Sequence, residues 1–116
     1  MTDDTKALQL AEAGIKRDNT LNELDMVRTS RRAIWGSLEA RLPSEGKAIH
    51  EFVSQLKQDG DSQDLRQKWG EALASSSAEF QEMVAELQRL NVQEKILEHM
   101  LEVLDRQIET LKAQLQ

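Results

Sequence analysis

The chain has 116 residues, of which 21 are acidic and 15 basic, giving a net charge of −6 at pH 7 and a pI near 4.9. That is one domain's worth of sequence. With no Cys, no Tyr and only 3% aromatic residues, a disulfide framework, a thiolate metal centre and an all-β domain are excluded. The excess of carboxylates sets it against phosphate-rich partners such as nucleic acid.

The expected class is all-α. The first arm covers about residues 5–42. Leu21, Leu24, Val27, Ile34, Leu38 and Leu42 share one helical face, interrupted by Arg31. Thr20 and Glu23 stand three apart as in a capping box. A helix start at Thr20, and so a break near residues 18–20, is left open. Pro43 disfavours the helical conformation at Leu42 and lacks an N–H, so the chain is expected to bend there. A short helix is expected over 44–58, because Ile49, Phe52, Val53 and Leu56 form an i, i+3, i+4, i+7 stripe. Asp59-Gly60-Asp61-Ser62 reads as a turn.

From there a long helix is expected over 62–115. An alternating four–three spacing runs through Trp69, Leu73, Ser76, Phe80, Met83, Leu87, Leu90, Glu94, Leu97, Leu101, Leu104, Ile108, Leu111 and Leu115. Such a repeat keeps one coiled-coil seam facing a partner helix. Only Ser76 and Glu94 interrupt it. Residues 74–78, Ala-Ser-Ser-Ser-Ala, are poor helix formers. Ser76 with Glu79 makes a second capping box, so a break there also stays open. Residues 5–58 and 62–115, which flank the turn, are equal in length. The architecture that fits is an antiparallel helical hairpin or a three-helix bundle with a long C-terminal coiled-coil helix, in one domain spanning 1–116.

Nothing in the chain assembles a catalytic set. His50 and His99 lack the Glu-x-x-His spacing of bundle metal sites. His99 has Glu98 beside it and Glu102 one turn on, an arrangement read first as a solvated helix face. The five glycines are scattered, with no phosphate-binding loop. The expectation is a non-enzyme without metal or cofactor. Arg28, Arg31 and Arg32 form a basic cluster. Residues 61–116 carry 11 acidic and 6 basic side chains, so that cluster is expected to pair with the C-terminal arm, Arg31 with Glu94.

The most informative feature is a second apolar stripe. Val92, Ile96, Met100 and Val103 point away from the seam, at about 100° per residue. The stripe is covered either by the chain's own N-terminal helix or residues 44–58, or by another chain, a client helix or a second copy in a homodimer.

The run Leu87-Gln-Arg-Leu90-Asn91-Val-Gln-Glu-Lys-Ile96-Leu97-Glu-His-Met-Leu101, with Trp69 upstream, resembles the FlgN-type chaperones of flagellar and type III export. Leu90-Asn91 and the apolar step Ile96-Leu97 carry the likeness, over about the last fifty residues. The chain has Glu94-Lys95 where that family often has Asn-Gly. The resemblance implies a cytoplasmic chaperone whose C-terminal helix binds the helical ends of export substrates. Val92, Ile96, Met100 and Val103 would then be the client face. The alternative is a structural coiled-coil subunit of a larger helical assembly, such as an export-apparatus stalk. No run in the chain approaches the roughly 18 apolar residues of a membrane span.

Overall fold

A computed structural model describes residues 3–59, 70, 74 and 76–116. Among them every regular element is helical: α1 (Asp3–Arg41), a 3₁₀ turn (Leu42–Ser44), α2 (Lys47–Asp59) and α3 (Ala78–Leu115). The all-α class is therefore shown. The turn expected at 60–62 and the seam positions Trp69 and Leu73 lie outside the described residues.

Helix α1 starts with Asp3 and Asp4 in its first turn and ends with Arg41 in its last, each charge favourable to the helix dipole. It runs unbroken through residues 18–20. Thr20 does not cap a helix: its hydroxyl donates to the Lys16 carbonyl one turn back at 2.8 Å, and the residue is buried. Burial of the Thr20 face takes precedence over the local capping pattern.

The helix stops where Pro43 requires it to. Pro43 lies in the first turn of the 3₁₀ segment, the Glu45 N–H donates to the Leu42 carbonyl at 2.9 Å, and Glu45 is extended. Ser44 Oγ donates to the Arg41 carbonyl at 2.8 Å, occupying one of the acceptors that the helix end leaves open. Ser44 thus belongs to the turn, and α2 begins at Lys47 rather than 44.

The expectation of one helix over 62–115 is corrected. Ser76 and Ser77 are not helical, and α3 begins at Ala78. Ser77 is the cap, its Oγ accepting from the Phe80 N–H at 3.2 Å. Gln81 donates its side-chain amide to the Ser76 carbonyl at 3.3 Å. A hydroxyl satisfying a free N–H competes with helix continuation wherever small polar residues make continuation unrewarding.

The chain, read from sequence as a single domain, divides into two compact units, Met1–Arg28 with Gln93–Gln116, and Thr29–Val92. The second unit is a three-helix arrangement. Leu38 from α1, the α2 stripe Ile49, Phe52, Val53 and Leu56, and Phe80, Val84 and Leu87 from α3 form its core, with Ile34, Trp35, Leu42 and Met83 packed against them. Each fully buried side chain of this kind contributes about 1.5–3 kcal/mol. Arg41–Glu79 and Lys57–Glu39 ion pairs lie on its surface.

The first unit is a two-helix hairpin. Leu24 and Val27 of α1 and Leu97 and Leu111 of α3 are buried, while Leu101, Leu104, Ile108 and Leu115 are partly buried. Within both units the seam from Phe80 to Leu115 is buried or half-buried, as its spacing predicts. Val84 and Ala13 are buried without belonging to either expected apolar set.

Candidate functional site

In the hairpin unit, polar pairs set the register. Arg17 Nε donates to Asp105 Oδ1 at 2.5 Å, and Arg28 Nε to Glu94 Oε2 at 3.2 Å. Arg17 and Arg28 are 11 residues apart on α1, as Glu94 and Asp105 are on α3, so the helices run antiparallel in one register. Arg28 also reaches Glu98 at 3.2 Å. The hydrogen bond with Glu94 raises the Arg28 guanidinium above its ordinary pKa, against the opposing effect of desolvation. Glu94 thus bonds Arg28 of the basic cluster. These partly exposed pairs orient the helices more than they stabilise them.

The hairpin has two unlike flanks. One is ionic, lined by Arg17, Asp18, Asp105, Glu109 and Lys112 along with Leu10, Gly14 and Ile108. The other is a groove of about 380 Å³ lined by Lys16, Asn19, Thr20, His99, Met100, Val103 and Leu104. Its floor is mostly apolar, and Thr20 has already directed its hydroxyl to a backbone carbonyl. Two of the four residues of the second stripe, Met100 and Val103, line this groove and are 44% and 48% exposed. Ile96, one turn before Met100 on the same helix, is 55% exposed, and Val92 is 47% exposed in the other unit. About half of each of these side chains is open to solvent.

The chain matches no family model, no curated protein and no solved structure. The groove's own geometry is thus the ground for a functional reading.

Glu98 turns toward Arg28, while Glu102 lies 4.0 Å from His99 Nδ1. Among the described residues no group of three or more His, Cys, Asp or Glu is placed to hold a metal ion. No described helix is long and apolar enough to cross a membrane.

The three-helix unit has a different concavity, about 410 Å³, lined by Arg31, Arg32, Trp35, Leu56, Lys57 and Asn91. Lys57 Nζ stands 5.6 Å from the Trp35 ring centroid, a cation–π distance. Two of the three arginines of the basic cluster line this concavity, and Arg28 belongs to the hairpin unit. Sequence reasoning missed the Arg17–Asp105 pair, although matching the equal arms end to end brings those positions close together. Leu8 and Ile15, part of the thin apolar set of the N-terminal stretch, are exposed, as is Met26.

Proposed function

We propose that this chain is a non-enzymatic helical binding protein that shields an amphipathic helix of a client, in the manner of the FlgN-type cytoplasmic chaperones of flagellar and type III export. The observation that carries this reading is the exposure of Met100 and Val103 in an open groove of a two-helix unit, with Ile96 exposed one turn before Met100 on the same helix. A helix with a seam on one side and a second apolar face about 100° round from it has packing surface for two neighbours. In the hairpin unit α3 has one described neighbour, α1. A third helix laid into the groove would bury the stripe, the helix-in-groove mode of peptide recognition. Met100 supports the reading as a flexible, polarizable side chain suited to varied partners.

The test is the double variant Ile96→Asp, Met100→Asp, compared with the parent by far-UV circular dichroism, hydrophobic-dye fluorescence and light scattering over a concentration series. The expected result is a parent that stays monomeric and binds dye, and a variant with unchanged helix content and little dye binding. Loss of helix content in the variant would make the stripe internal core. A parent dimer that the variant converts to monomer would assign the groove to a second copy. Either outcome sinks the proposal.

A further inference from the structure

Charge along α3 is distributed in a way that bears on what enters the groove. Between Gln93 and Gln116 the helix carries five carboxylates, Glu94, Glu98, Glu102, Asp105 and Glu109. At 100° per residue all five fall within an arc of about 80°, centred about 160° round from Met100. Three of them, Glu94, Glu98 and Asp105, bond arginines of α1. On the groove side of α3 the ionisable residues are His99, which lines the groove, and Arg106, which is exposed about two turns further on, beyond the lining residues. Across the groove α1 contributes Lys16. Among the described residues no carboxylate lines the groove, in a chain with a net charge of −6. The nearest are Glu102, which approaches His99 from the side away from Met100, and Glu12 and Glu23, about a turn beyond the α1 lining residues in each direction.

We infer that the groove between α1 and α3 of the hairpin unit takes a partner helix whose apolar stripe is flanked by Asp or Glu. This rests on the helix-shielding reading above and adds the charge of the occupant. An apolar stripe alone accepts any amphipathic helix of suitable size, and flanking charge then selects among them. A carboxylate on the side of the incoming helix that meets α3 approaches Arg106 and His99; one on the α1 side approaches Lys16. A basic flank would meet Arg106 and Lys16 with like charge. A second copy fits less well. A two-fold interface sets a surface against itself, which would bring Arg106 and His99 of one α3 against those of the other.

The experiment uses the full chain and three fluorescein-labelled synthetic helices of about three heptads. All share one Leu stripe and differ only in flanking residues: Glu, Gln or Lys. Affinity is read by fluorescence anisotropy at low and moderate salt. The expected order is Glu over Gln over Lys, with about five- to tenfold between the extremes, the sum of a few exposed ion pairs. The gap should narrow as salt rises. The variant Lys16→Glu, Arg106→Glu, both sites exposed, should reverse the order.

Equal binding of all three peptides, abolished by Ile96→Asp, Met100→Asp, would overturn the charge inference and leave the helix-shielding reading standing. Binding of none would overturn both. Preference for the Glu peptide that survives Lys16→Glu, Arg106→Glu would place its acidic flank elsewhere on the chain and overturn the assignment to this groove. Concentration-dependent dimerisation that excludes all three peptides would give the groove to a second copy and overturn the inference as well.

Discussion

Ile96 and Leu97 are adjacent on one helix and carry the same number of carbons, yet their surroundings differ sharply: Ile96 is 55% exposed and Leu97 is 4% exposed. Truncating each to Ala therefore reads the stripe against the seam with chemistry nearly constant. Leu97→Ala removes the three buried carbons beyond Cβ and leaves a cavity between α1 and α3, which costs about 3 kcal/mol. Ile96→Ala removes three carbons worth roughly 2.4 kcal/mol when fully buried. With more than half of the residue already in water, about 1 kcal/mol of that burial is lost. Alanine returns roughly 0.4 kcal/mol through its better helix propensity, so the net loss is about 0.6 kcal/mol. At a urea slope of about 1.5 kcal/mol per M, the midpoint of the transition should fall by about 2 M for Leu97→Ala and about 0.4 M for Ile96→Ala. Far-UV circular dichroism during urea titration is the assay. Equal midpoint shifts would show that Ile96 is as enclosed as Leu97 in solution, and the second stripe would not be open at that position.

Three further outcomes are expected. Ser77→Ala removes the hydroxyl that accepts from the Phe80 N–H and should cost about 1 kcal/mol, seen as a lowered melting temperature. Gly14 and Gly36 sit inside α1 with nothing within 4 Å of an added Cβ; Gly14→Ala and Gly36→Ala should each stabilise by about 0.5–1 kcal/mol, seen as a raised melting temperature. The Glu86 carboxyl is held below its ordinary pKa chiefly by its hydrogen bond from Arg89, with Nε to Oε2 at 2.9 Å. A depressed carboxylate adds stability above its unfolded pKa and loses it as pH falls through the lower folded value. The contribution is therefore intact at neutral pH and disappears in acid. An NMR titration showing Glu86 at or above the usual carboxylate range would contradict that pairing.

Periodicity was legible wherever burial on one face is what organises a helix. The α2 set Ile49, Phe52, Val53 and Leu56 is buried in full, and the seam holds from Phe80 to Leu115. Helix ends were harder. Thr20 and Ser76 both carry the three-residue spacing of a capping box, but neither caps its neighbour. Thr20 faces the hairpin interior and turns its hydroxyl back onto the helix, while Ser77, one residue on, is the side chain whose oxygen meets the Phe80 N–H. Spacing reports which groups could bond; the fold settles which of them face one another. Glu94 bonds Arg28 in the antiparallel register, a partner that the polar stripe positions alone did not single out. The four-residue stripe could be picked out from sequence because apolar residues recur at helical spacing. Its exposure could not, since a pattern says that a face is apolar and says nothing of what lies across from it.

The internal bond of Thr20 has a consequence for selectivity. Its proton is spent on the Lys16 carbonyl, so the buried hydroxyl in the groove floor has no donor left to satisfy. Sites that reject near-cognate ligands strongly do so by stranding a buried polar group when the wrong ligand arrives. Here a wrong side chain forfeits only contact area, on the order of 1–3 kcal/mol per methylene. A surface built this way reads outline and charge instead of individual letters, and tolerates ligands that share a shape but little sequence.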